Sequence, residues 1–329
     1  MMDRRRFLAS LAATLAAVPV PTLGQAPGKV RRIGGLVPQD RPGTLENLGY
    51  FNRGLQDLGW IEGQNLRVEW RFADGKYDRL PGLAKELVES GAEVILAVGG
   101  SPSALAAQGA SRTLPIVFVN VGDPVALGLV DSLPHPGRNA TGMTNLTADT
   151  ALKHLEMLRS VLPGLANVAV FWNPASPIGP RSLKALETAG AKTGTKVRPF
   201  ATQTTGDISN AFSRMKGDRP GALVLTGDAF LHQNRGEIAG QVLALTLPSI
   251  GPHVGFAEAG GLLSYGANPA ESYRRAAGLV DRILRGAKPA DLPVEQPTRL
   301  QLVINRKTAK ALGLTIPAEL LLMADRLID

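Results

Sequence analysis

The amino-acid sequence predicts an α/β protein built from two doubly wound parallel-sheet lobes. Short runs of β-branched and apolar residues alternate with amphipathic helical stretches, a pattern typical of parallel strands joined by right-handed crossovers. The alternation occurs twice at a nearly constant offset, with Ile33 and Val168 135 residues apart and Pro115 and Pro248 133 apart. Hydrophobic residues make up 44% of the 329 and charged residues 19%, which is enough apolar material for two packed cores.

The chain begins with the features of an export signal. A basic cluster, Arg4 to Arg6, precedes an apolar stretch and then small residues that favour cleavage near Ala26. Arg4 to Leu8 also fits the R-R-x-F-L core of a twin-arginine signal, although Asp3 stands where Ser or Thr is usual, so Sec export stays open. The apolar stretch is shorter than the roughly 20 residues needed to span a bilayer. We therefore expect residues 1–26 to be removed and the mature protein to be periplasmic.

The first series of elements follows this signal. Strands are predicted over 31–37, 66–72, 93–98 and 115–121, and helices over 44–59, 77–90 and 103–110. The second series has predicted strands over 167–172, 196–202, 221–227 and 247–252, and helices over 148–162, 180–192, 207–216 and 232–246. The two series have the same order, which predicts two similar lobes.

The last part of the chain predicts a further strand over 260–269 and an amphipathic helix over 269–286, followed by a proline-rich extended segment over 290–305. Two final helices are expected near 306–312 and 317–327. Sequence alone does not assign these helices to a lobe.

Charge and cysteine content exclude several classes of function. The formal charge is +8, but Lys and Arg are scattered without a basic run, so nucleic-acid binding is not expected. The absence of cysteine excludes disulfides and a lipoprotein attachment site. No metal-ligand spacing and no phosphate-binding glycine motif occurs, so we expect no metal, nucleotide or other cofactor.

Ligands of open α/β sheets bind beyond the carboxyl ends of the strands, so the loops that follow the strands are the candidate site. Gln39 lies in such a loop, and the stretch from Gly99 to Ser103 forms another, in which Pro102 opens a helix. Free N–H groups of that first turn and the hydroxyls of Ser101 and Ser103 suit a carboxylate, although a capped helix with nothing bound explains the pattern equally well.

A serine hydrolase is the main enzymatic alternative. Gly99 to Ser103 is similar to a G-x-S-x-G motif, and Asp228 and His253 follow Ser101 in the order Ser, Asp, His. Pro102 argues against it, because the residue after the nucleophile would have no N–H for an oxyanion hole.

Residues 95–145, from "ILAVGGSPSALAAQ" to "PGRNATGMTN", resemble a conserved block of the ABC-transporter substrate-binding family, which includes tryptophan- and tyrosine-type proteins. The segment from Asn268 to Leu314 resembles the family's ending. The resemblance implies a type I periplasmic-binding fold with three crossovers, near 141–147, 265–269 and 293–299. One lobe is expected at 30–143 plus 268–294, and the other at 146–265 plus 298–329.

The resemblance also implies ligand-facing positions at the strand ends. They are Gly100, Ser101, Pro102, Ser103, Asp123, Pro124, Asn173, Pro174 and Asp228. Helix capping explains Asp123 and Asp228 equally well, and a turn explains Asn173. Four aromatic residues near strand ends are candidates for stacking on a ligand: Phe118, Trp172, Phe230 and Tyr265. Amino-acid-binding members often carry an Asn-Ser pair soon after the Asn173 position, and "PIGPRS" at 177–182 replaces it here.

The function implied is that of a non-enzymatic, monomeric receptor. It would close its lobes on a small amino acid, aromatic or carboxylate-type ligand and deliver it to an ABC permease and its ATPase at the inner membrane. A sensor that presents the same ligand to a membrane kinase remains an alternative.

Overall fold

The chain folds into two α/β lobes, each with its own sheet. The computed structural model describes residues 29–145 and 150–329; the predicted export signal lies outside them. In the described residues, no helix combines the length and apolar character needed to cross a membrane.

The first sheet is entirely parallel and has the order β2-β1-β3-β4-β5. Its strands are Arg31–Val37 (β1), Leu66–Phe72 (β2), Val94–Ala97 (β3), Ile116–Val121 (β4) and Ala140–Thr144 (β5). The helices that cover it are Arg41–Asp57 (α1), Leu80–Glu89 (α2) and Ser101–Ala110 (α3). A later helix, Pro269–Leu284 (α10), also packs on this sheet.

The second sheet has seven strands in the order β12-β11-β10-β9-β8-β6-β7. They are Asn167–Trp172 (β6), Lys196–Ala201 (β7), Leu223–Leu225 (β8), Ser249–Gly251 (β9), Leu263–Ala267 (β10), Leu300–Asn305 (β11) and Arg326–Ile328 (β12). The helices of this lobe are Ala151–Val161 (α4), Gly179–Thr193 (α5), Thr205–Asp218 (α6), Ala229–Gln233 (α7), Arg235–Ala244 (α8), Val254–Glu258 (α9), Arg306–Ala311 (α11) and Ala318–Met323 (α12).

The order β7-β6-β8-β9 in the second sheet repeats the order β2-β1-β3-β4 in the first. The duplication predicted from the spacing of the strands is therefore confirmed in the topology. Apolar clusters cover both faces of each sheet, as parallel strands require, with Phe51 and Phe118 in the two clusters of the first lobe and Leu155 and Phe171 in the two of the second.

Two predicted helices differ from the observed ones, and one strand of the second sheet is not parallel. The predicted helix over 232–246 is interrupted at Asn234, whose side-chain amide donates to the Phe230 carbonyl at 2.8 Å and separates α7 from α8. The extended segment over 290–305 ends in strand β11, which runs antiparallel to β10, so this lobe is not purely parallel. The last predicted helix stops at Met323 and is followed by β12.

The chain passes between the lobes three times, after β5, after β10 and before β11, as predicted. Residues 146–149 of the first crossover lie outside the described residues. Helix α10 packs on the first lobe, and α11 and α12 contribute Ala309 and Leu320 to the core of the second. The residue bounds expected for the two lobes stay a prediction.

Candidate functional site

A cavity of about 50 Å³, here called the central cavity, lies between the lobes at the carboxyl ends of their parallel strands. This is the edge at which doubly wound sheets bind ligands. Five of the residues predicted for the site line it: Gln39, Gly100, Ser101, Pro102 and Asp228. The other lining residues are Asn47, Gly99, Asn120, Asn145, Ser176, Ile178, Gly227, Ala229, His232, His253, Pro269 and Tyr273.

Two glycines shape the first wall of the cavity. Gly99 has a φ of +75° and Gly100 a φ of +98°, where side chains are strongly disfavoured. A Cβ at Gly99 would lie 2.5 Å from Pro38 Cγ, and one at Gly100 would lie 3.3 Å from the Asn120 carbonyl oxygen. Helix α3 therefore starts abruptly after Gly100, with no side chain capping its N-terminus and with Pro102 in its first turn.

Ser101 and Ser103 have different roles. Ser101 is 1% exposed and its Oγ, at the cavity wall, has no hydrogen-bond partner. The Ser103 hydroxyl turns away and donates to the carbonyls of Val98 and Gly100. Ser103 stabilises the strand-to-helix turn and does not line the central cavity, contrary to the expectation that both hydroxyls would face a ligand.

In the part of the chain that the structure describes, three residues lining the cavity each have a buried polar atom without a partner, although buried polar groups in proteins are nearly always paired. The atoms are Gln39 Oε1, Ser101 Oγ and His232 Nδ1. Gln39 and Ser101 belong to the first lobe and His232 to the second, so the unpaired atoms come from both sides of the cavity. Each such group costs about 1–3 kcal/mol when it stays unpaired.

Asp228 is buried at the start of α7. Its Oδ1 accepts from the N–H groups of Phe230 and Leu231 and from Asn173 Nδ2, at 2.9, 3.2 and 3.2 Å. Burial raises the pKa of the Asp228 carboxyl, and these hydrogen bonds oppose the shift. Helix capping therefore applies to Asp228 as the sequence suggested, and its carboxylate also lines the cavity.

Tyr77 links the first lobe to this carboxylate. Its hydroxyl donates to Asp228 Oδ2 and accepts from the Phe230 N–H, both at 3.0 Å. Burial, and then the negative charge of Asp228, raise the pKa of Tyr77 well above its ordinary value, so the hydroxyl stays protonated. A second link joins the Asp40 N–H of the first lobe to Gln233 Oε1 at 3.2 Å.

Two histidines face the cavity from the second lobe. The rings of His232 and His253 meet edge to face, with centroids 5.0 Å apart and planes at 72°. Burial, followed by the positive charge of Arg235, lowers the pKa of His253 to about 4. Burial also holds the pKa of His232 well below its ordinary value, with His253 and Arg235 as further causes. Both imidazoles are therefore neutral near pH 7.

Asp123 and Pro124 line a separate cavity of about 210 Å³ at one mouth of the cleft. Asp123 Oδ1 accepts from the Ala126 N–H at 3.0 Å, and Oδ2 forms an ion pair with Arg181 of the other lobe. Ile178 packs against Gly122, where a Cβ would lie 2.7 Å from its Cδ1. The segment that replaces the expected Asn-Ser pair thus contacts the first lobe through Ile178 and Arg181.

The remaining predicted residues lie away from the central cavity. Asn173 supports the site from behind, because its amide contacts Asp228 without lining the cavity. The Tyr265 ring packs on the core of the second lobe and against His154, so it does not line the central cavity either. Phe118 and Phe230 are core residues, and Trp172 also stays outside the cavity lining.

Sequence reasoning missed Tyr77, Asn120 and His232 as site residues, and it considered His253 only as part of the serine-hydrolase alternative. Asn120 had a usable position at the end of β4, where it adopts a φ of +64° and its carbonyl accepts from Asn145 Nδ2 at 2.7 Å. The histidines showed no spacing that would have indicated a site. Tyr77 lies in a short helical turn, Tyr77–Arg79, far along the chain from its partner Asp228.

The geometry does not form the catalytic arrangement of a serine hydrolase. Among the described residues Ser101 Oγ has no hydrogen-bond partner, so none of them is placed as a base beside it, and Pro102 leaves the following position without an N–H. In the part of the chain that the structure describes, no group of three or more His, Asp or Glu side chains could hold a metal ion.

Comparison with known proteins agrees with this description of the fold. The family model of the ABC transporter substrate-binding proteins matches residues 32–328. A tyrosine-binding protein of Clostridioides difficile is 26% identical over 265 residues, which cover 80% of this chain and 75% of that protein.

Solved structures show the same fold. A conserved domain protein from Vibrio cholerae is 26% identical and superposes with a TM-score of 0.85, covering 91% of this chain and all of that one. An ABC domain from Streptococcus pneumoniae in complex with L-Trp is 23% identical, with a TM-score of 0.84. The superposition covers 91% of this chain and 99% of the Streptococcus pneumoniae chain.

Proposed function

Because the chain belongs to the family of ABC transporter substrate-binding proteins, we propose that it is the extracytoplasmic receptor of an ABC import system. It holds a small organic ligand in the central cavity and delivers it to a permease and its ATPase. The observation that carries this proposal is the set of unpaired polar atoms, Gln39 Oε1, Ser101 Oγ and His232 Nδ1, that surround one cavity from both lobes. Because these atoms come from both lobes, they are buried together only in the closed form. A ligand that pairs with them offsets the cost of burying them and so stabilises that form.

The charges around the cavity favour a zwitterionic amino acid. Of the described residues that line it, Asp228 is the only one with a formal charge, so a simple carboxylate would meet an anion and no cation. The uncapped N-terminus of α3, with Ser101, suits the carboxylate of an amino acid, and Asp228 suits its ammonium group. The tyrosine-binding relative and the L-Trp complex support the same class of ligand.

A ligand screen by calorimetry and thermal shift tests the proposal. We expect at least one of the twenty amino acids to bind in the micromolar range and to raise the melting temperature, and benzoate and 4-hydroxybenzoate to bind much more weakly. Ser101→Ala should weaken binding without lowering the melting temperature of the free protein. Stabilisation by the carboxylates and by no amino acid would contradict the proposed ligand class, and no stabilisation by any solute would contradict the receptor function.

Export and cleavage are proposed from the sequence of residues 1–26. We expect the protein expressed from its full sequence to accumulate in the periplasm with an N-terminus at Pro27, determined by mass spectrometry. Replacing both Arg4 and Arg5 with Lys should block export only if the twin-arginine route is used. Retention of the intact N-terminus in the cytoplasm would contradict the proposed location.

A further inference from the structure

One histidine of the central cavity is not used by the recognition of an amino acid's carboxylate and ammonium groups. His232 lies one helical turn after Asp228, and its N–H donates to the Asp228 carbonyl at 3.0 Å. Residues four apart lie on the same face of a helix, so the side chains of Asp228 and His232 both face the cavity. An ammonium group held at Asp228 therefore places the rest of the ligand beside His232, an argument that rests on the proposed function.

The His232 ring offers hydrogen bonds that nothing in the described residues satisfies at Nδ1. Arg235 donates to the His232 carbonyl at 2.9 Å and lines an outer pocket, not the central cavity. This cation opposes a second positive charge on the imidazole. The neutral ring has one donor nitrogen and one acceptor nitrogen, and a hydroxyl or amide group can pair with either.

His253 holds this ring in place. Its own ring contacts that of His232 at a centroid distance of 5.0 Å, and both line the cavity. An edge-to-face contact between two half-buried rings restricts their rotation. The His232 ring, which lines both the central cavity and the outer pocket beside it, therefore has a restricted orientation, and a restricted ring makes pairing with a ligand more selective.

We propose that His232 is a specificity-determining residue, which selects amino acids with a hydrogen-bonding side chain over apolar amino acids of the same shape, and that His253 is its positioning residue. An apolar side chain beside His232 leaves Nδ1 unpaired in the closed state. A side-chain hydroxyl or amide pairs with it.

Three pairs of amino acids of matched shape test this: threonine and valine, asparagine and leucine, tyrosine and phenylalanine. The dissociation constants are measured by calorimetry for the wild type, His232→Phe and His232→Asn. Phe keeps a planar ring without nitrogens, whereas Asn keeps an amide near the position of Nδ1. His135→Phe is the matched control, because His135 is exposed and lies outside the central cavity.

In at least one pair we expect the wild type to bind the polar member about tenfold more tightly. That ratio should fall to about one in His232→Phe, persist in His232→Asn and stay unchanged in His135→Phe. If the wild type binds apolar and polar members equally, or if His232→Phe keeps the ratio, the proposal is overturned while the receptor function stands. Absence of binding by all six amino acids overturns the role of His232, whereas the receptor function is decided by the screen of all twenty amino acids and the other solutes.

Discussion

At the scale of single residues, the turn at the start of α3 contains two positions whose residue type the fold requires and one whose side chain has no structural partner among the described residues. Gly100 has a φ of +98° and a ψ of −156°, a region open in practice to glycine alone. Ser103 is held by two carbonyls. Ser101 lies between them with an unpaired hydroxyl, which is the pattern expected of a residue kept for a ligand.

Gly100→Ala should disrupt the cavity wall. We expect a loss of about 1–3 kcal/mol in the free energy of unfolding, because the substituted residue must keep a disfavoured conformation. Ligand affinity should fall as well, since the new Cβ would lie 3.3 Å from the Asn120 carbonyl oxygen. Gly109→Ala is the control in the same helix: it is exposed, has open space at Cβ, and should gain about 0.5–1 kcal/mol. Urea denaturation and calorimetry measure both effects, and equal behaviour of the two variants would contradict the account.

Ser103→Ala should lower the stability of the protein, whereas Ser101→Ala should lower its affinity for the ligand. Ser103→Ala removes a buried donor from two carbonyls and should cost about 1–3 kcal/mol of stability. Ser101→Ala removes an unpaired hydroxyl, so the stability of the free protein should stay unchanged or rise while ligand affinity falls. Thermal unfolding with and without the best-binding amino acid separates these outcomes. A large loss of stability in Ser101→Ala would show that its hydroxyl has a structural partner.

At the scale of elements, the short helix α7 connects the central cavity to the contacts between the lobes. Its N-terminal cap Asp228 lines the cavity, and the Tyr77 hydroxyl of the other lobe bonds both to that cap and to the Phe230 N–H. The interruption at Asn234 keeps α7 short and lets α8 take a separate direction. The same few residues therefore serve as a cap, a cavity wall and a contact between the lobes.

Tyr77→Phe should make closure less favourable. The variant loses both cross-lobe hydrogen bonds of the hydroxyl, worth about 1–2 kcal/mol together, so the apparent affinity for the best-binding amino acid should fall roughly 5- to 30-fold. Calorimetry measures the affinity, and small-angle scattering measures the compactness of the liganded form.

Tyr50→Phe is the control for this variant, because the Tyr50 hydroxyl donates to Glu46 within α1 at 2.9 Å and so loses a hydrogen bond inside the first lobe. It should bind the ligand as the wild type does. An unchanged affinity in Tyr77→Phe would exclude a role of this hydroxyl in closure.

At the scale of the whole molecule, buried neutral histidines couple stability to pH. His154 is 2% exposed, and its Nε2 donates to the Tyr265 carbonyl at 2.8 Å. Burial lowers its pKa from 6.5 to about 4, and the hydrogen bond to Tyr265 opposes the shift. Between these values the unfolded chain binds the proton and the folded protein does not, so stability falls as the pH decreases from about 6.5 to about 4. The shift corresponds to at most about 3 kcal/mol.

His154→Gln should reduce this dependence. The glutamine amide can donate to the same carbonyl but does not titrate, so the variant should lose less stability than the wild type between pH 7 and pH 4.5. Urea denaturation at the two pH values measures the difference. His135→Gln is the control, since His135 is exposed and should leave the pH dependence unchanged. A steeper dependence in His154→Gln would contradict the sign of the shift.

The amount predictable from sequence differs between the fold and the site. The bounds of β1 and β2 match the predicted strands, because the alternation of apolar residues is a local property of the chain. Gln39 and Ser101 could be named as site residues, because the carboxyl ends of parallel strands meet at one edge. Tyr265 also stands near a strand end, but packing against His154 and the core places its ring elsewhere.

The sequence alone determined the repeated order of strands and helices, and with it the edge at which a ligand can bind, because both follow from periodicities within a few residues. Only the tertiary structure decided which side chains surround the central cavity. Tyr77 and Asp228 are 151 residues apart and meet because the two lobes close on each other. His232 becomes a candidate because burial leaves its Nδ1 without a partner. Contacts between distant segments depend on the packing of whole elements, which no local pattern encodes.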